Sequence, residues 1–473
     1  MKTLPLYLGG KWATSTTTLQ VHNPANGHAI GEVCTVGRPV VAQALADAHA
    51  ALAGWRALTG KERGDRLRAV ADHLVRRRDE VARTITLENG KPLAQSLGEV
   101  AMSVDHLLWF AEEARRPYGR IVPAQAAGKR HLVVKTPIGV VAAISPWNFP
   151  LVLAVRKIAP ALAAGCPVVL KPASATPLCA LLFAECVEAA GLPAGVFQVV
   201  LGRASEIAAE FLENRLCRKI TFTGSTEVGQ LLIRGAAPDI KPLSLELGGH
   251  APVLIFADAD LDQAVETAMI AKFRNSGQSC IAANRIYVQR PIYEEFLVRF
   301  AQKARELKVG DGLEAGVNVG PVINQEGLDK ALAHIADAKA RGARCLCGGR
   351  RMDRPGWFLE PTVLADVPEA AACMSEETFA PVAAVCSFET EEEAVTRANA
   401  SPFGLSAYAC TRDLGRTFRL IESLEAGTIG INDGAPSTSQ CPFGGTKHSG
   451  WGRELGNEGL DAFLETKHAS LVL

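Results

Sequence analysis

The feature that most constrains this chain is a regular alternation of short apolar segments and helical patterns between residues 138 and 256. The predicted strands cover residues 138–144, 167–170, 196–200, 219–222 and 252–256. The predicted helices cover residues 151–164, 176–190 and 205–213, and a further helix starts at residue 227. Strands separated by helices in this way are typical of right-handed βαβ units, so we predict a parallel sheet.

A second alternation follows, from about residue 260 to residue 445. It predicts helices at 260–275, 293–306 and 326–341, and strands at 285–289, 381–388 and 427–431. Two β-prone pieces, residues 131–135 and 469–473, fit neither alternation. Such strands form an exposed edge unless another subunit covers them. The chain is therefore expected to be an α/β protein with a second α/β unit and a small β arm.

The bulk composition excludes several classes of protein. The 473 residues are too many for one hydrophobic core and indicate about two or three domains. Lysine plus arginine and aspartate plus glutamate both number 50, so no positive field is present to bind nucleic acid or an anionic membrane. No signal peptide or membrane-spanning run is visible, and we expect the scattered cysteines to be reduced thiols in the cytoplasm. The close pair Cys345 and Cys347 lacks further ligands, so no metal site is expected.

Polar clusters follow three of the predicted strands, at residues 146–150, 171–174 and 223–226. Parallel sheets bind ligands at the carboxyl ends of their strands, so a nucleotide is expected to lie there. The usual G-x-G-x-x-G fingerprint is missing, because Gly224 and Gly229 have the wrong spacing. Gly224 and Ser225 still open a helix, which is either an anion site or an ordinary helix cap.

A cysteine and an isolated glutamate are the candidate reactive groups. Cys280 lies in a short polar run, and Glu246 lies between two leucines in a turn-rich break before paired glycines. A thiol and an acid of this kind indicate covalent chemistry at sulfur and a base that activates water. Two alternatives stay open. Cys280 can be a buried small hydrophobe, or the nucleophile of a thiol hydrolase, which needs a nearby histidine.

Six motifs together resemble the aldehyde dehydrogenase superfamily over essentially the whole chain. In chain order they are Pro146-Trp-Asn-Phe-Pro150, Phe222-Thr-Gly-Ser-Thr226, Leu245-Glu-Leu-Gly-Gly249, Gly277-Gln-Ser-Cys280, Glu376-Glu-Thr-Phe-Ala-Pro381 and Pro442-Phe-Gly-Gly445. The resemblance implies an NAD(P)-dependent enzyme with a Rossmann-like cofactor domain at 1–118 and 138–247 and a catalytic domain at 248–446. It also implies an oligomerisation arm at 119–137 and 455–473, in a homodimer or homotetramer.

The resemblance also implies roles at the reacting centre. Cys280 is expected to attack the aldehyde, Glu246 to be the general base, and Asn148 to donate its side-chain amide to the oxyanion. The residues expected to contact the cofactor are Trp147, Lys171, Ser174, Gly224, Ser225, Glu377 and Phe379. One departure is Ala380, where the family more often has glycine, and its methyl group is expected to narrow the nicotinamide pocket.

One position bears on the choice of dinucleotide. Lys171 is expected to meet the adenosine ribose, and Ser225 the pyrophosphate. Family members that select NAD often carry a glutamate at the position of Ser174. A neutral hydroxyl does not repel a 2′-phosphate, so NADP is the expected cofactor. The alternative is that Ser174 merely begins the next helix and that NAD works as well.

Two arginines and a serine bear on the substrate. Arg156 lies on the helix that follows residues 146–150, and Arg274 precedes the candidate nucleophile by six residues. With Ser437 they resemble the succinate-semialdehyde dehydrogenase branch, in which such a trio binds the distal carboxylate of the substrate. The planar arginine side chain is suited to this task because it meets both carboxylate oxygens. The predicted reaction is the oxidation of succinate semialdehyde to succinate.

Other interpretations of the same residues stay open. The two arginines can form internal salt bridges instead. An arginine pair does not choose strictly among carboxylate, sulfonate and phosphonate, so glutarate semialdehyde or a sulfonated or phosphonated aldehyde is an alternative substrate. A non-catalytic structural relative is a further alternative, although it would be expected to have lost Cys280 or Glu246.

Overall fold

The computed structural model describes residues 3–473. The α-helices of these residues are α1 (Arg38–Ala57), α2 (Gly60–Arg76), α3 (Arg78–Asn89), α4 (Leu93–Glu113), α5 (Val152–Ala164), α6 (Leu178–Ala189), α7 (Ala204–Glu213), α8 (Thr226–Ala236), α9 (Leu261–Phe273), α10 (Tyr293–Glu306), α11 (Gln325–Ala340), α12 (Glu391–Asn399), α13 (Leu414–Ser423) and α14 (Gly456–Asp461). Within this part of the chain, no helix is both long and apolar enough to cross a membrane.

The strands form two large sheets and four small ones. They are β1 (Thr3–Leu4), β2 (Leu6–Leu8), β3 (Lys11–Ala13), β4 (Thr18–His22), β5 (Ala29–Cys34), β6 (Arg120–Val122), β7 (Lys129–Pro137), β8 (Val140–Ile144), β9 (Val168–Lys171), β10 (Phe197–Val199), β11 (Cys217–Thr223), β12 (Leu243–Glu246), β13 (Ala251–Ile255), β14 (Ala283–Gln289), β15 (Arg344–Cys347), β16 (Thr362–Ala365), β17 (Val382–Phe388), β18 (Phe403–Gly404), β19 (Ser406–Cys410), β20 (Thr428–Ile431), β21 (Thr446–Lys447), β22 (Gly450–Trp451) and β23 (Leu464–Val472).

The first large sheet has the order β10-β9-β8-β11-β12-β22, and its strands are parallel except for β22. The chain places β9 and β10 on one side of β8, then crosses to add β11 and β12 on the other side. Such a change of direction opens a crevice at the carboxyl ends of the strands. The segments that follow β8, β9, β11 and β12 carry the predicted nucleotide-binding clusters and Glu246. The predicted α/β fold with a Rossmann-like parallel sheet is confirmed.

The second large sheet has the order β15-β16-β17-β14-β13-β19-β20, and only β15 is antiparallel. The segment at 251–255 is part of this sheet, so the prediction that it completes the first alternation is wrong. The strand that completes the first sheet in parallel is β12, which places Glu246 at the end of a strand rather than in a turn-rich break. The sequence pattern missed β12 because this four-residue strand contains a serine and a glutamate.

The two large sheets meet through opposite ends of their strands. Three site segments lie just before strands of the second sheet, at 247–250 before β13, 277–282 before β14 and 376–381 before β17. They face the loops at the carboxyl ends of the first sheet, as the hydrogen bond from Asn148 Nδ2 to the Gln278 carbonyl shows. The site therefore lies between the carboxyl ends of the strands of the first sheet and the amino ends of the strands of the second sheet.

A small antiparallel sheet of β6, β7 and β23 forms the predicted β arm. Strand β7 pairs with β23 along its whole length, from Lys129 to Pro137. Several apolar side chains of this arm are exposed, including Ile121 at 74% and Val472 at 76%. A group of exposed apolar side chains on one small sheet marks a surface suited to association.

Candidate active site

Two cavities meet at Cys280. The first, of about 210 Å³, is lined by Pro146, Trp147, Asn148, Thr223, Gly224, Ser225, Leu247, Gly248, Cys280, Glu377 and Phe379. The second, of about 40 Å³, is lined by Met102, Phe149, Val152, Leu153, Arg156, Arg274, Ser279, Cys280, Ile281, Ser437 and Phe443. The predicted cofactor residues line the first cavity except for Lys171 and Ser174, and the predicted substrate trio lines the second. Cys280 is common to both.

The loop before the cysteine is a tight left-handed turn. Residues 275–277 have φ angles of 50°, 56° and 73°. A Cβ on Gly277 would lie 2.1 Å from the carbonyl oxygen of Ala380, so only glycine fits there. The side-chain amide of Asn275 donates to the Asn148 carbonyl over 2.7 Å. These contacts fix the cysteine loop against the edge of the first sheet.

Glycines in two of the motifs allow the reactive segments to approach each other. A Cβ on Gly249 would lie 2.1 Å from the carbonyl oxygen of Cys280. A Cβ on Gly444 would lie 2.7 Å from Oε1 of Glu246. Both distances are too short for a methyl group, so the absence of a side chain brings the thiol loop next to β13 and leaves room for the acid.

The Cys280 thiol is half-buried, and its pKa is raised to about 12. Burial is the largest cause, the negative charges of Glu377 and Glu246 add to it, and Arg156 acts in the opposite direction. The resting residue is therefore a protonated thiol. Since the thiolate is the nucleophile, attack on a carbonyl carbon requires a group that takes up this proton.

Glu246 ends β12 and is only 4% exposed. Burial raises the pKa of this carboxyl well above its usual range, and Glu454 raises it further, whereas Lys157 lowers it. Lys157 is itself fully buried, pairs with Glu454 and donates to the Thr223 hydroxyl over 2.7 Å. Oε2 of Glu246 has no hydrogen-bond partner among residues 3–473. A buried carboxyl with a raised pKa and an unused oxygen can accept a proton from water.

Asn148 is held by a buried ion pair between Lys91, in the loop before α4, and Glu99 on α4. The Lys91 ammonium donates to the Asn148 carbonyl over 2.7 Å and to Glu99 over 2.5 Å. Glu99 also accepts from the backbone N–H of Leu151 at the start of α5. The side-chain Nδ2 of Asn148 already donates to the Gln278 carbonyl over 3.2 Å. One N–H of the amide therefore remains for an oxyanion in the cavity.

Aromatic and acidic side chains form the wall opposite the sheet edge. Trp147 and Phe379 make an edge-to-face pair with ring centroids 5.5 Å apart. Burial raises the pKa of Glu377 to about 8, and its Oε1 is 3.4 Å from the Gly249 N–H. Ala380 is fully buried in the core of the second sheet and does not line the cavity. The expectation that its methyl group narrows the pocket is therefore wrong.

Two groups in the crevice fit the phosphates of a dinucleotide. Gly224 and Ser225 stand at the N-terminus of α8, and a Cβ on Gly224 would lie 2.3 Å from the Phe222 ring. The Ser225 hydroxyl accepts from the Val228 N–H over 3.4 Å, so the serine is a helix cap. The N-terminus of α8 still favours an anion through its helix dipole. The cap and the anion site are thus compatible rather than alternative interpretations.

Lys171 and Ser174 follow β9 at the next strand end. Lys171 is buried, its pKa is lowered to about 8 by burial, and its Nζ donates to the Pro172 carbonyl over 3.1 Å. Its other N–H groups are free to donate to a ligand. Ser174 is exposed in a turn, because α6 begins only at Leu178, after Pro177. The alternative that Ser174 begins the helix is wrong. Pro177 disfavours helical geometry at Thr176, the residue before it, so the helix starts only after the proline.

The second cavity carries the two arginines without an ion pair. Arg156 is 5% exposed, and its Nη2 donates to the Ser437 hydroxyl over 2.8 Å. Arg274 is half-buried, with its guanidinium 5.1 Å from the centre of the Phe149 ring. Neither arginine pairs with a carboxylate anywhere in the described residues. The interpretation of both as internal salt bridges is therefore wrong, and a buried unpaired cation is stabilised by an anionic ligand.

Several supporting residues were not found by sequence reasoning. They are Lys91, Glu99, His106, Lys157, Ser439 and Glu454. Each is a charged or polar residue on a mostly buried surface, a signal visible as an interruption of the apolar helical pattern. No single residue of this kind can be assigned a partner from the sequence, because the partners lie far apart along the chain. Among the described residues, no histidine lines either cavity, so the thiol hydrolase alternative has no support.

Comparisons with known proteins agree with this geometry. A sequence profile of the Aldehyde dehydrogenase family matches residues 12–469. The chain belongs to the aldehyde dehydrogenase family. The predicted class of NAD(P)-dependent oxidoreductase is thereby confirmed.

Individual relatives cover nearly the whole chain. Glutarate-semialdehyde dehydrogenase of Pseudomonas aeruginosa is 48% identical over 98% of this chain and 97% of its own length. Succinate-semialdehyde dehydrogenase [NADP(+)] GabD of Escherichia coli is also 48% identical, with the same coverage of 98% and 97%. The crystal structure of succinate-semialdehyde dehydrogenase from Burkholderia pseudomallei superposes with a TM-score of 0.98 at 46% identity, covering 99% of this chain and 98% of that one.

Proposed function

We propose that the protein oxidises a small semialdehyde with a distal carboxylate, succinate semialdehyde to succinate, through a thioester on Cys280. The observation that carries this proposal is the second cavity, where Arg156, Arg274 and Ser437 surround the far side of the cysteine. Both arginines lack a carboxylate partner of their own. A substrate carboxylate supplies the missing charge, while its aldehyde carbon lies near the thiol.

The chemistry follows from the two buried reactive groups. Cys280 gives its proton to water in the cavity, and the thiolate attacks the aldehyde carbon to form a carbon–sulfur bond. The oxyanion accepts from the free N–H of Asn148 and from the Cys280 backbone N–H. A nicotinamide ring held by Trp147, Glu377 and Phe379 would supply the hydride acceptor, and loss of hydride from the carbon would leave a thioester on the sulfur. Glu246 then takes a proton from water, which attacks the thioester and releases the acid. Oε2 of Glu246, which has no hydrogen-bond partner among the described residues, leaves the carboxylate free for this task.

We propose NADP as the preferred cofactor, with NAD accepted as well. Glu377 and Phe379 would hold the nicotinamide end beside Trp147, and Lys171 with Ser174 would hold the adenosine end. Ser174 is exposed and neutral, so no carboxylate there repels a 2′-phosphate. The E. coli relative whose name specifies NADP supports this preference.

A second anionic substrate class is favoured by one comparison. The relative from P. aeruginosa carries the name of a glutarate-semialdehyde dehydrogenase at the same identity as the succinate-semialdehyde relative. Both arginines recognise the charge and the two oxygens of an acid group, which succinate semialdehyde and glutarate semialdehyde share. Sulfonated and phosphonated aldehydes fall in the same class. A non-catalytic role is disfavoured because Cys280 and Glu246 are both present.

We further propose a homodimer or homotetramer whose contacts involve the β arm of β6, β7 and β23. Contact with a second copy of the chain would remove the exposed apolar side chains of this arm from water. The proposed domains are residues 1–118 and 138–247 for the cofactor, 248–446 for catalysis, and 119–137 with 455–473 for the arm. A cytoplasmic location stays a prediction from the sequence. A mass measurement by light scattering checks the assembly, and a monomer at micromolar concentration would contradict it.

The substrate proposal is tested with a panel of paired aldehydes. Succinate semialdehyde, glutarate semialdehyde, butanal, pentanal and a sulfonated aldehyde are each oxidised with NADP and with NAD, and reduced cofactor is read by absorbance. We expect kcat/KM for the acidic aldehydes to exceed that for the neutral ones by roughly ten- to a hundredfold, the value of a charge-assisted hydrogen bond. Equal values for butanal and succinate semialdehyde would remove the distal carboxylate from the proposal.

A further inference from the structure

A chain of hydrogen bonds outside both cavities ends on Arg156. The Arg156 Nε–H donates to Nε2 of His106 over 3.3 Å. Nδ1 of His106 is 2.7 Å from the Ser439 hydroxyl, and that hydroxyl contacts Oδ2 of Asp105. His106 lies on α4 and is fully buried, and it lines neither cavity. The four residues thus link the surface of α4 to the guanidinium.

The direction of this chain follows from its two ends. The guanidinium of Arg156 can only donate, so Nε2 of His106 is the acceptor and carries no proton. The proton of a neutral imidazole then lies on Nδ1, which donates to the Ser439 hydroxyl. That hydroxyl in turn donates to Oδ2 of Asp105. Every donor in the chain therefore finds an acceptor, with a single tautomer of His106.

The chain orients the guanidinium without cancelling its charge. His106 is neutral, because burial and the nearby Arg156 hold the pKa of its imidazole well below the usual range. The carboxylate at the far end, Asp105, is exposed and is separated from Arg156 by a hydroxyl and an imidazole. A carboxylate in the position of His106 would pair with the arginine directly. It would then compete with an anionic substrate for the same cation.

The contacts also decide which edge of the arginine is left for a ligand. Nε is engaged by His106 and Nη2 by Ser437, while the Phe443 ring lies 4.8 Å from the guanidinium carbon. Nη1 has no protein partner in the described part of the chain. The remaining N–H groups therefore lie at the end of the guanidinium, on Nη1 and Nη2, and can meet a carboxylate with two parallel bonds.

We propose that His106, supported by Ser439 and Asp105, is a positioning residue that determines selectivity for anionic aldehydes. It acts through Arg156 and does not touch the substrate. The inference rests on the proposed role of Arg156 as the ligand of the distal carboxylate. It adds that a neutral acceptor at Nε is needed to present the charged end of the arginine to the second cavity.

Three substitutions at position 106 separate positioning from packing. His106→Phe keeps an aromatic ring, although a larger one, and has no acceptor. The amide of His106→Asn can replace Nδ1 towards Ser439 but is too short to replace Nε2 towards Arg156. The longer amide of His106→Gln can place its oxygen at the position of Nε2 and so restores an acceptor for Arg156. The readout is the ratio of kcat/KM for succinate semialdehyde to kcat/KM for butanal. We expect this ratio to fall about tenfold in the Phe and Asn variants, mainly through KM of the acidic aldehyde, and to recover in the Gln variant.

Ser439→Ala provides a second route to the same result if a variant at position 106 fails to fold. It removes the acceptor of the Nδ1 proton, so we expect a fall of the ratio by a smaller factor, about threefold. Thermal unfolding of every variant is measured alongside. A loss of stability with an unchanged ratio in the folded His106→Phe and Ser439→Ala proteins means a purely structural role and overturns the inference.

Arg156→Leu distinguishes this inference from the function on which it rests. If Arg156→Leu lowers the ratio while His106→Phe leaves it unchanged, the proposed function stands and the role of His106 is wrong. If Arg156→Leu itself leaves the ratio unchanged, the proposed function fails, and the inference is overturned with it. A lowered ratio in both, with recovery in His106→Gln, supports both.

Discussion

Cys280 and Glu246 both have a raised pKa, because burial penalises the charged form of each group. The same burial therefore keeps the thiol protonated and makes the carboxylate of Glu246 a stronger base. Both residues act through a proton transfer. The thiol of Cys280 must lose its proton before it attacks, and the carboxylate of Glu246 accepts a proton from water. The types of these residues could be predicted from the motifs around them, whereas their protonation could not, since it depends on burial by distant segments.

The first prediction concerns the sulfur. Cys280→Ala should abolish aldehyde oxidation and leave NADP binding within about twofold, because the thiol forms the bond to substrate and is one of many residues around the nicotinamide site. Oxidation is measured by absorbance and binding by fluorescence titration of the same preparation. Oxidation by the variant at the wild-type rate would show that another group is the nucleophile.

The second prediction concerns the acid. Glu246→Gln should still form the thioester, giving a burst of reduced cofactor followed by slow turnover, which stopped-flow absorbance resolves. Because the raised pKa leaves the base form scarce at low pH, thioester hydrolysis in the wild type should accelerate as the pH rises. Glu246→Gln should lose this pH dependence. Absence of the burst would mean that Glu246 also takes the proton of the thiol.

The third prediction concerns the dinucleotide. Ser174→Glu should weaken binding of NADP far more than binding of NAD, by about 1–3 kcal/mol, because like charges then meet beside the 2′-phosphate. Dissociation constants for both cofactors are compared by titration, with Ala175→Glu at the neighbouring exposed turn position as the control. Equal weakening of NAD and NADP would place Ser174 outside the ribose site.

His106 illustrates what sequence reasoning could not supply at this scale. A lone histidine on the buried face of α4 looks like an ordinary core residue. Its partners, Arg156 and Ser439, are separated from it by 50 and 333 positions along the chain. Only the fold brings them together.

Among the elements, the helices and strands with strong periodicity were predicted within a few residues, as α5, α7 and α10 show. Strand β12 was missed because its four residues offer no usable pattern. The helix predicted at 176–190 begins at Leu178 instead, because Pro177 disfavours helical geometry at Thr176. The left-handed turn at 275–277 carries only a weak signal, because glycine and asparagine adopt positive φ more readily than other residues but also occur widely elsewhere, and serine seldom adopts it.

The fourth prediction tests that turn. Gly277→Ala should lower the free energy of unfolding by more than the backbone strain alone, which costs about 1–3 kcal/mol at a φ of +73°. The added methyl group would also clash with the Ala380 carbonyl. It should also lower kcat, since the turn positions Cys280. Gly342→Ala is the matched control, with a φ of +103° and open space around the Cβ, and should cost less. Equal losses of stability in the two variants would show that the contact with Ala380 does not constrain the loop.

In the molecule as a whole, each of the two large sheets contributes a different part of the site around Cys280. The carboxyl ends of the first sheet provide the crevice for the dinucleotide, and the amino ends of the second sheet provide the thiol loop and Glu377. The substrate cavity opens on the other side of Cys280 and is walled by α4, α5 and the segment around Ser437. The alternation along the sequence predicted two α/β units, but it could not predict that they meet through opposite strand ends.

The central claim is that Arg156 and Arg274 bind the distal carboxylate of an aldehyde whose carbonyl group lies at Cys280. The direct measurement is kcat/KM for succinate semialdehyde and for butanal in the wild type, Arg156→Leu and Arg274→Leu. The control is Arg63→Leu, a buried arginine that donates to the Ala163 carbonyl and lines neither cavity. Loss of a charge-assisted bond should lower the ratio of the two values roughly ten- to a hundredfold in each cavity variant and not in the control. A proportional loss for both aldehydes in the cavity variants would contradict the claim.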